Sequence, residues 1–197
     1  MSKTSKGRFF EDYHVGQQIA HAVPRTVSGG ERALYHALYP ARGALYSSDE
    51  FARACGLPES PVDDLMAFHI VFGKSVPDIS VNAVANLGYA QGRFLRPVYP
   101  GDTLRATSEV IGLKQNSNGK SGVVYVRTTG LNQRDEMVID YVRWVMVRKG
   151  DLDAPAPDTV VPELAGAVDA GDLVVPEDLT FDSYDCALAG APHCWGE

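Results

Sequence analysis

No lysine or arginine follows Lys149, whereas 11 of the 25 acidic residues lie between Asp151 and Glu197. The remaining 14 acidic residues share the first 150 positions with all 18 basic ones. The body of the chain is therefore mildly basic, although the whole carries a formal net charge of −7. That excess is too small and too scattered for a nucleic-acid surface, but it suits a small phosphorylated ligand. Cysteine is scarce. Cys55, Cys186 and Cys194 are odd in number and lack metal-ligand spacing, so neither a disulfide framework nor a zinc site is expected. Reduced thiols imply a cytoplasmic setting. Long hydrophobic runs are missing too. MSKTSKGRFF has no signal-peptide or anchor character, and no stretch approaches the roughly 20 apolar residues of a membrane span. Phosphate-binding glycine loops, metal motifs and a serine nucleophile elbow are also absent.

What is present starts with Pro61–Val76, PVDDLMAFHIVFGKSV. After Asp63 and Asp64 it is apolar almost all round, interrupted by His69, and so reads as a buried helix. The two carboxylates sit where the helix dipole is positive. The helix is expected to break at Val76–Pro77. Before it, a first strand follows the Gly16 turn. Ser28 and Glu31 form a capping box for a helix ending at Pro40, and a short helix runs from Ser48 to Gly56. After it come strands within Val81–Phe94, Leu104–Leu113, Val123–Thr129 and Met137–Val147. Asn116–Gly119 marks a hairpin between the second and third of these. On the last strand, Met137, Ile139, Tyr141, Arg143, Val145 and Val147 form the more apolar face, with Arg143 the exception. The fold class read from this is α+β, an antiparallel sheet wrapped around one buried helix.

From Lys149 the chain turns rich in proline and acid and reads as an extended linker over 150–191. Val160, Val161, Leu173, Val174, Val175 and Phe181 suggest that it docks in part. Pro192–Glu197 repeats the pattern of Gly7–Asp12, with Trp195 matching Phe10 and Glu197 matching Asp12. This reads as the start of a second copy of the domain at 9–149.

Phe10-Glu-Asp-Tyr-His-Val-Gly16, Ser48-Asp-Glu-Phe-Ala52 and Arg93-Phe-Leu-Arg-Pro-Val-Tyr-Pro-Gly-Asp-Thr-Leu104 resemble the MaoC-like hot-dog family of acyl-CoA hydratases. Phe68–Ser80 and Tyr141–Lys149 narrow the resemblance to the N-terminal half of its mesaconyl-CoA hydratase branch, whose members carry two hot-dog repeats. The resemblance implies a hot-dog fold and reversible hydration of mesaconyl-CoA to β-methylmalyl-CoA. It implies no cofactor beyond the CoA of the substrate. The implied partners are an acyl-CoA thioester and a second hot-dog domain or homo-oligomer, with no nucleic acid and no membrane.

Such hydration needs a base, an acid and donors for the thioester oxygen. The family uses an Asp and a His five residues later. Counted back from Phe51–Ala52, these positions hold Ala41 and Tyr46. The family's oxygen-holding Gly falls near Leu65. This repeat is therefore expected to contain no catalytic residue. Tyr46, His69, Arg93, Phe94 and Arg96 are the candidates for contact with substrate, the two arginines for CoA phosphates. His69 is otherwise a hydrogen-bonded core histidine, and Tyr46 an ordinary surface or core tyrosine. Asp63 and Asp64 either stabilise the helix start or serve a thioesterase. Lys74, Arg143 and Arg148 read as solvated cations, and Cys55 as packing. A non-catalytic acyl-CoA-binding subunit of a hetero-oligomer is the other functional reading.

Overall fold

A computed structural model describes residues 6–39, 43–180 and 182. Short β1 (Gln18–Ala20) and β2 (Arg25–Thr26) are followed by α1 (Gly29–Leu38), α2 (Ala44–Ser47), α3 (Asp49–Ala54) and the long α4 (Asp64–Ile79). Four long strands complete the domain: β3 (Ala83–Phe94), β4 (Thr103–Gln115), β5 (Ser121–Leu131) and β6 (Met137–Arg148). They form an antiparallel sheet in the order β1-β4-β5-β6-β3, with β2 pairing beside β1 on β4. The expected α+β architecture, a sheet wrapped around α4, is the one observed.

Local chemistry accounts for the elements. Ser28 accepts from the Glu31 N–H while Glu31 accepts from the Ser28 N–H, closing the capping box of α1. Ser48 caps α3 through the Phe51 N–H, and Asp63 caps α4 through the Leu65 N–H. At the β4–β5 hairpin Gly119 takes φ +67°, the conformation that glycine adopts without penalty.

Helix α4 runs through Pro77 to Ile79, past the expected break. The proline removes one hydrogen bond, to the exposed Gly73 turn where water can serve the freed carbonyl. The last carbonyls of the helix are held from outside. The Tyr13 hydroxyl donates to both Asp78 O and Ile79 O, and Arg8 donates to Asp78 O.

The helix is buried along one stripe. Met66, Ala67, Ile70, Val71, Ser75 and Ile79 face the sheet, while Leu65, His69 and Gly73 are exposed. Against the stripe lie Leu104 and Ala106 of β4 and Ile139 and Tyr141 of β6. Beyond it Phe10, Ile79, Val110, Val124 and Val145 continue the core. Each such side chain, fully buried, contributes roughly 1.5–3 kcal/mol. Gly122 on β5 leaves the space that the Phe10 ring fills, since a Cβ there would stand 2.3 Å from the ring.

Arg143 departs from the expectation of a solvated cation. It is 0% exposed beneath α4. It donates to Ser75 Oγ at 3.1 Å and lies 4.7 Å above the centre of the Phe72 ring. β6 is a central strand, flanked by β5 and β3, so a side chain on its helix-facing side cannot reach water.

The tail is tied to the domain through polar and backbone groups, while Val160, Val161, Leu173, Val174 and Val175 stay exposed. The Glu11 carboxylate accepts from the Gly150 and Asp151 N–H groups, and Lys149 donates to Ala154 O. Val160 then pairs with Leu113 beyond the end of β1. Phe181, Cys186, Cys194 and the Pro192–Glu197 stretch lie outside the described residues.

Gly122→Ala should destabilise the chain by about 1–3 kcal/mol through overpacking against Phe10. Denaturant unfolding checks this, and an unchanged midpoint would contradict the packing described.

Candidate functional site

A cleft lies where the start of α4, the end of β3 and the tail meet. Its inner compartment has a volume of about 210 Å³ and is lined mostly by apolar groups, among them Leu45, Pro61, Phe94 and Leu179. Two polar side chains converge in it. The Tyr46 hydroxyl donates to Asp64 Oδ2 at 2.9 Å. Burial pushes the Asp64 carboxyl above the usual carboxylate range, and the Tyr46 hydrogen bond opposes that rise. Burial also pushes the Tyr46 phenol up, and the Asp64 charge adds to it. The Tyr46 proton thus lies between two partly buried oxygens.

The outer compartment, about 560 Å³, has a mixed polar and apolar lining and shares Arg96 and Pro97 with the inner one. Arg96 and Arg134 line it together with Glu136 and the tail residues Glu177 and Asp178, so it carries charges of both signs. Arg96 stands 4.0 Å from Glu136.

Of the five side chains singled out in the sequence, Tyr46, Phe94 and Arg96 share this cleft. Arg93 does not. It faces a separate depression with Arg127, and both are paired with the buried Asp140, at 3.5 and 2.7 Å. His69 is exposed on the open side of α4, with its ring 5.6 Å from that of Phe68, so it is not the core histidine that an all-round apolar helix implied. Asp63 and Asp64, alike in sequence, divide: one caps the helix and the other faces Tyr46. Cys55 is buried, as packing requires. Ala41 lies outside the described residues.

The resemblance placed the oxygen-holding amide near Leu65. Its N–H is already bonded to Asp63 Oδ1 at 2.9 Å. A donor satisfied by its own cap is not free to receive charge developing on a thioester oxygen.

A sequence model of the mesaconyl-CoA hydratase family matches residues 1–191. The chain belongs to this family. A mesaconyl-CoA hydratase of Cereibacter sphaeroides is 75% identical over 195 residues, 99% of this chain and 57% of that protein. A beta-methylmalyl-CoA dehydratase of Chloroflexus aurantiacus is 57% identical over 196 residues, 100% of this chain and 56% of its own length. The crystal structure of a MaoC domain protein dehydratase from Chloroflexus aurantiacus superimposes with a TM-score of 0.92 at 57% identity, covering 98% of this chain and 55% of that one. The chain spans a little over half the length of the relatives it matches. Its fold is the hot-dog fold.

A second polar cluster, to which sequence reading assigned nothing, lies under the far end of α4. His21 Nδ1 is 2.8 Å from Asp78 Oδ2, and Nε2 is 2.7 Å from Ser108 Oγ. Ser108 in turn is 2.8 Å from Thr128 Oγ1. The connectivity imitates a serine hydrolase triad. Ser108, however, is 1% exposed and bonded on both sides, so no substrate carbonyl can approach it. With the ring neutral, Nδ1–H donates to Asp78 and Nε2 accepts from Ser108, leaving Thr128 as donor to Ser108. The cluster ties the residue that follows β1 to α4, β4 and β5. Nothing in the local sequence could reveal it, since its members are 20 to 87 positions apart. Among the described residues no group of His, Cys, Asp and Glu side chains is placed to hold a metal ion, and no helix is long and apolar enough to cross a membrane.

Two outcomes are expected. Tyr46→Phe removes the donor that restrains Asp64, so the Asp64 titration midpoint, read from its carboxyl carbon by NMR, should move further up. An unmoved midpoint would show that the pair does not interact. Burial holds His21 below its ordinary value of 6.5; Arg143 and Arg8 push the same way and Asp78 opposes. The unfolded chain then binds more protons than the folded one just below pH 6.5, so stability present above that pH should fall as the pH drops through it. His21→Gln should flatten this part of the stability–pH curve, and an equally steep curve would contradict the role given to His21.

Proposed function

We propose that this chain is the N-terminal hot-dog repeat of an acyl-CoA hydratase that interconverts mesaconyl-CoA and β-methylmalyl-CoA. The repeat encloses substrate, and the proton transfers belong to a second repeat. The observation that carries this reading is the two-compartment cleft. Its apolar inner part suits a short acyl group, being smaller than the roughly 300–1,000 Å³ of drug-sized pockets. Its larger outer part, which sets Arg96, Asn132 and Arg134 among apolar neighbours, suits the amide-bearing arm of the thioester. No cofactor is needed beyond the CoA of the substrate. The names of the relatives at 75% and 57% identity supply the acyl group.

The silence of this repeat follows from its side chains. Tyr46 is held by Asp64 with its proton bound more tightly than in water, which suits neither a base nor an acid near neutral pH. The Leu65 amide is occupied. A thioesterase would need Asp63 or Asp64 free to activate water, and both are engaged.

An edge favours the second repeat. β3 ends the sheet and exposes Val84, Leu87 and Tyr89 beside the open side of α4, where Leu65 is also exposed. An unpaired strand next to an apolar strip is a surface that calls for cover. A second hot-dog domain laid against β3 would cover both and place its own residues beside Phe94, the last residue of that strand.

The test is to follow the enoyl thioester absorbance of mesaconyl-CoA. The chain alone should leave it unchanged and release no CoA, and a protein that also contains the second repeat should consume it. Turnover by the chain alone would overturn the proposal. Arg96→Ala should weaken mesaconyl-CoA binding by about tenfold or more, the scale of one hydrogen bond to a charged group.

A further inference from the structure

The tail is more than a tether, because its path is built into the domain at separated points. Val160 exchanges both backbone hydrogen bonds with Leu113, each 2.8 Å. Gly112, next to Leu113, makes this possible: a Cβ there would stand 2.6 Å from Val160 O and 2.7 Å from Pro162 Cδ. Further on, the Thr180 N–H donates to Cys55 O at 2.8 Å. Here Gly56 leaves the room, since its Cβ would meet Asp178 O at 2.2 Å. Glycines on two unrelated elements thus admit the backbone of the same tail.

Between these anchors the tail forms part of the cleft wall. Val174, Val175 and Pro176 line both compartments, and Leu179 lines the inner one. Val174 and Val175 are nonetheless 45% and 53% exposed. Their apolar surface is turned to open space rather than spent on packing. Two adjacent valines left open in so acidic a segment are unfavourable in water and become favourable when an apolar group covers them.

We propose that residues 174–179 are the specificity wall of the acyl compartment. Val174, Val175 and Leu179 set the length and branching of the acyl group that fits between the tail and the Tyr46–Asp64 pair. This rests on the acyl-thioester reading of the cleft and adds the element that sizes the substrate. The favoured class is a short, branched enoyl thioester, and longer straight chains are stopped by the valines.

Isothermal titration calorimetry on the full 197-residue chain tests this with two probes, mesaconyl-CoA and straight-chain 2-hexenoyl-CoA. The measured quantity is the ratio of their dissociation constants. Val174→Ala combined with Val175→Ala widens the compartment and should shift the ratio toward hexenoyl-CoA by about tenfold, the scale of a methylene or two in an apolar pocket. Val175→Leu narrows it and should shift the ratio the opposite way. Because both positions are half exposed, neither change empties a core site. An unchanged ratio in both variants, with mesaconyl-CoA still bound by the unmodified chain, would overturn the wall and leave the acyl-thioester reading intact. Failure of the unmodified chain to bind either probe would overturn both.

Discussion

Helix α4 presses one side against a three-strand apolar surface, and the remaining geometry follows from that contact. The stripe from Met66 to Ile79 lies over β4, β5 and β6. Gly130 on β5 leaves the space beneath Val71 that brings the helix close, because a Cβ there would stand 2.7 Å from the Val71 side chain. Once the helix is seated, its N-terminus and Asp64 are delivered to the cleft. Its C-terminal carbonyls reach Tyr13 and Arg8 of the N-terminal segment. Its other side is delivered to the edge strand β3. One packed stripe therefore positions the candidate site at one end and the polar clamp at the other.

That clamp and the buried Arg143 show the cost of running polar groups under an apolar helix. A guanidinium removed from water loses several kcal/mol of hydration unless its surroundings replace it. Here the replacement is partial: the Ser75 hydroxyl and the face of Phe72. Its Nε has no hydrogen-bond partner among the described residues. Burial accordingly lowers its affinity for a proton. The Asp78–His21–Ser108–Thr128 chain is better satisfied, each link being 2.7–2.8 Å. Such groups admit few alternative packings, so they fix the register of helix on sheet more sharply than aliphatic contacts do.

Much of this was legible in the sequence because it is local. The caps at Ser28, Ser48 and Asp63 and the glycine turn at Gly119 are decided within four residues, and the strands by alternation. What failed was the inference from composition to surroundings. Leu65 and His69 belong to a helix apolar nearly all round, yet they are exposed because only one side meets this sheet. Arg143 looked like a solvated exception on a strand. Its fate is decided by β3 closing over β6, a pairing between segments some 50 residues apart. Tyr46 and Asp64 were each noted in the sequence, but their hydrogen bond exists because α2 turns back onto the start of α4. Arg93 and Arg96 are three residues apart and end in different depressions. The bulge at Ala90/Arg93, with Gln91 at φ +53°, and the end of β3 turn them to different sides.

The tail carries this lesson furthest. Proline and acid predict that residues 150–191 bury no core of their own, which is an argument from composition alone. Composition is silent on whether another part of the chain has made room for them. Here that information sits in Gly56 and Gly112, which read in isolation as a helix terminator and a strand irregularity. The same two glycines are where a side chain would collide with tail backbone. A segment with little hydrophobic content can thus be held in one path by steric vacancies and a few backbone hydrogen bonds. It then brings its few valines to a cleft that the rest of the domain leaves open on that side.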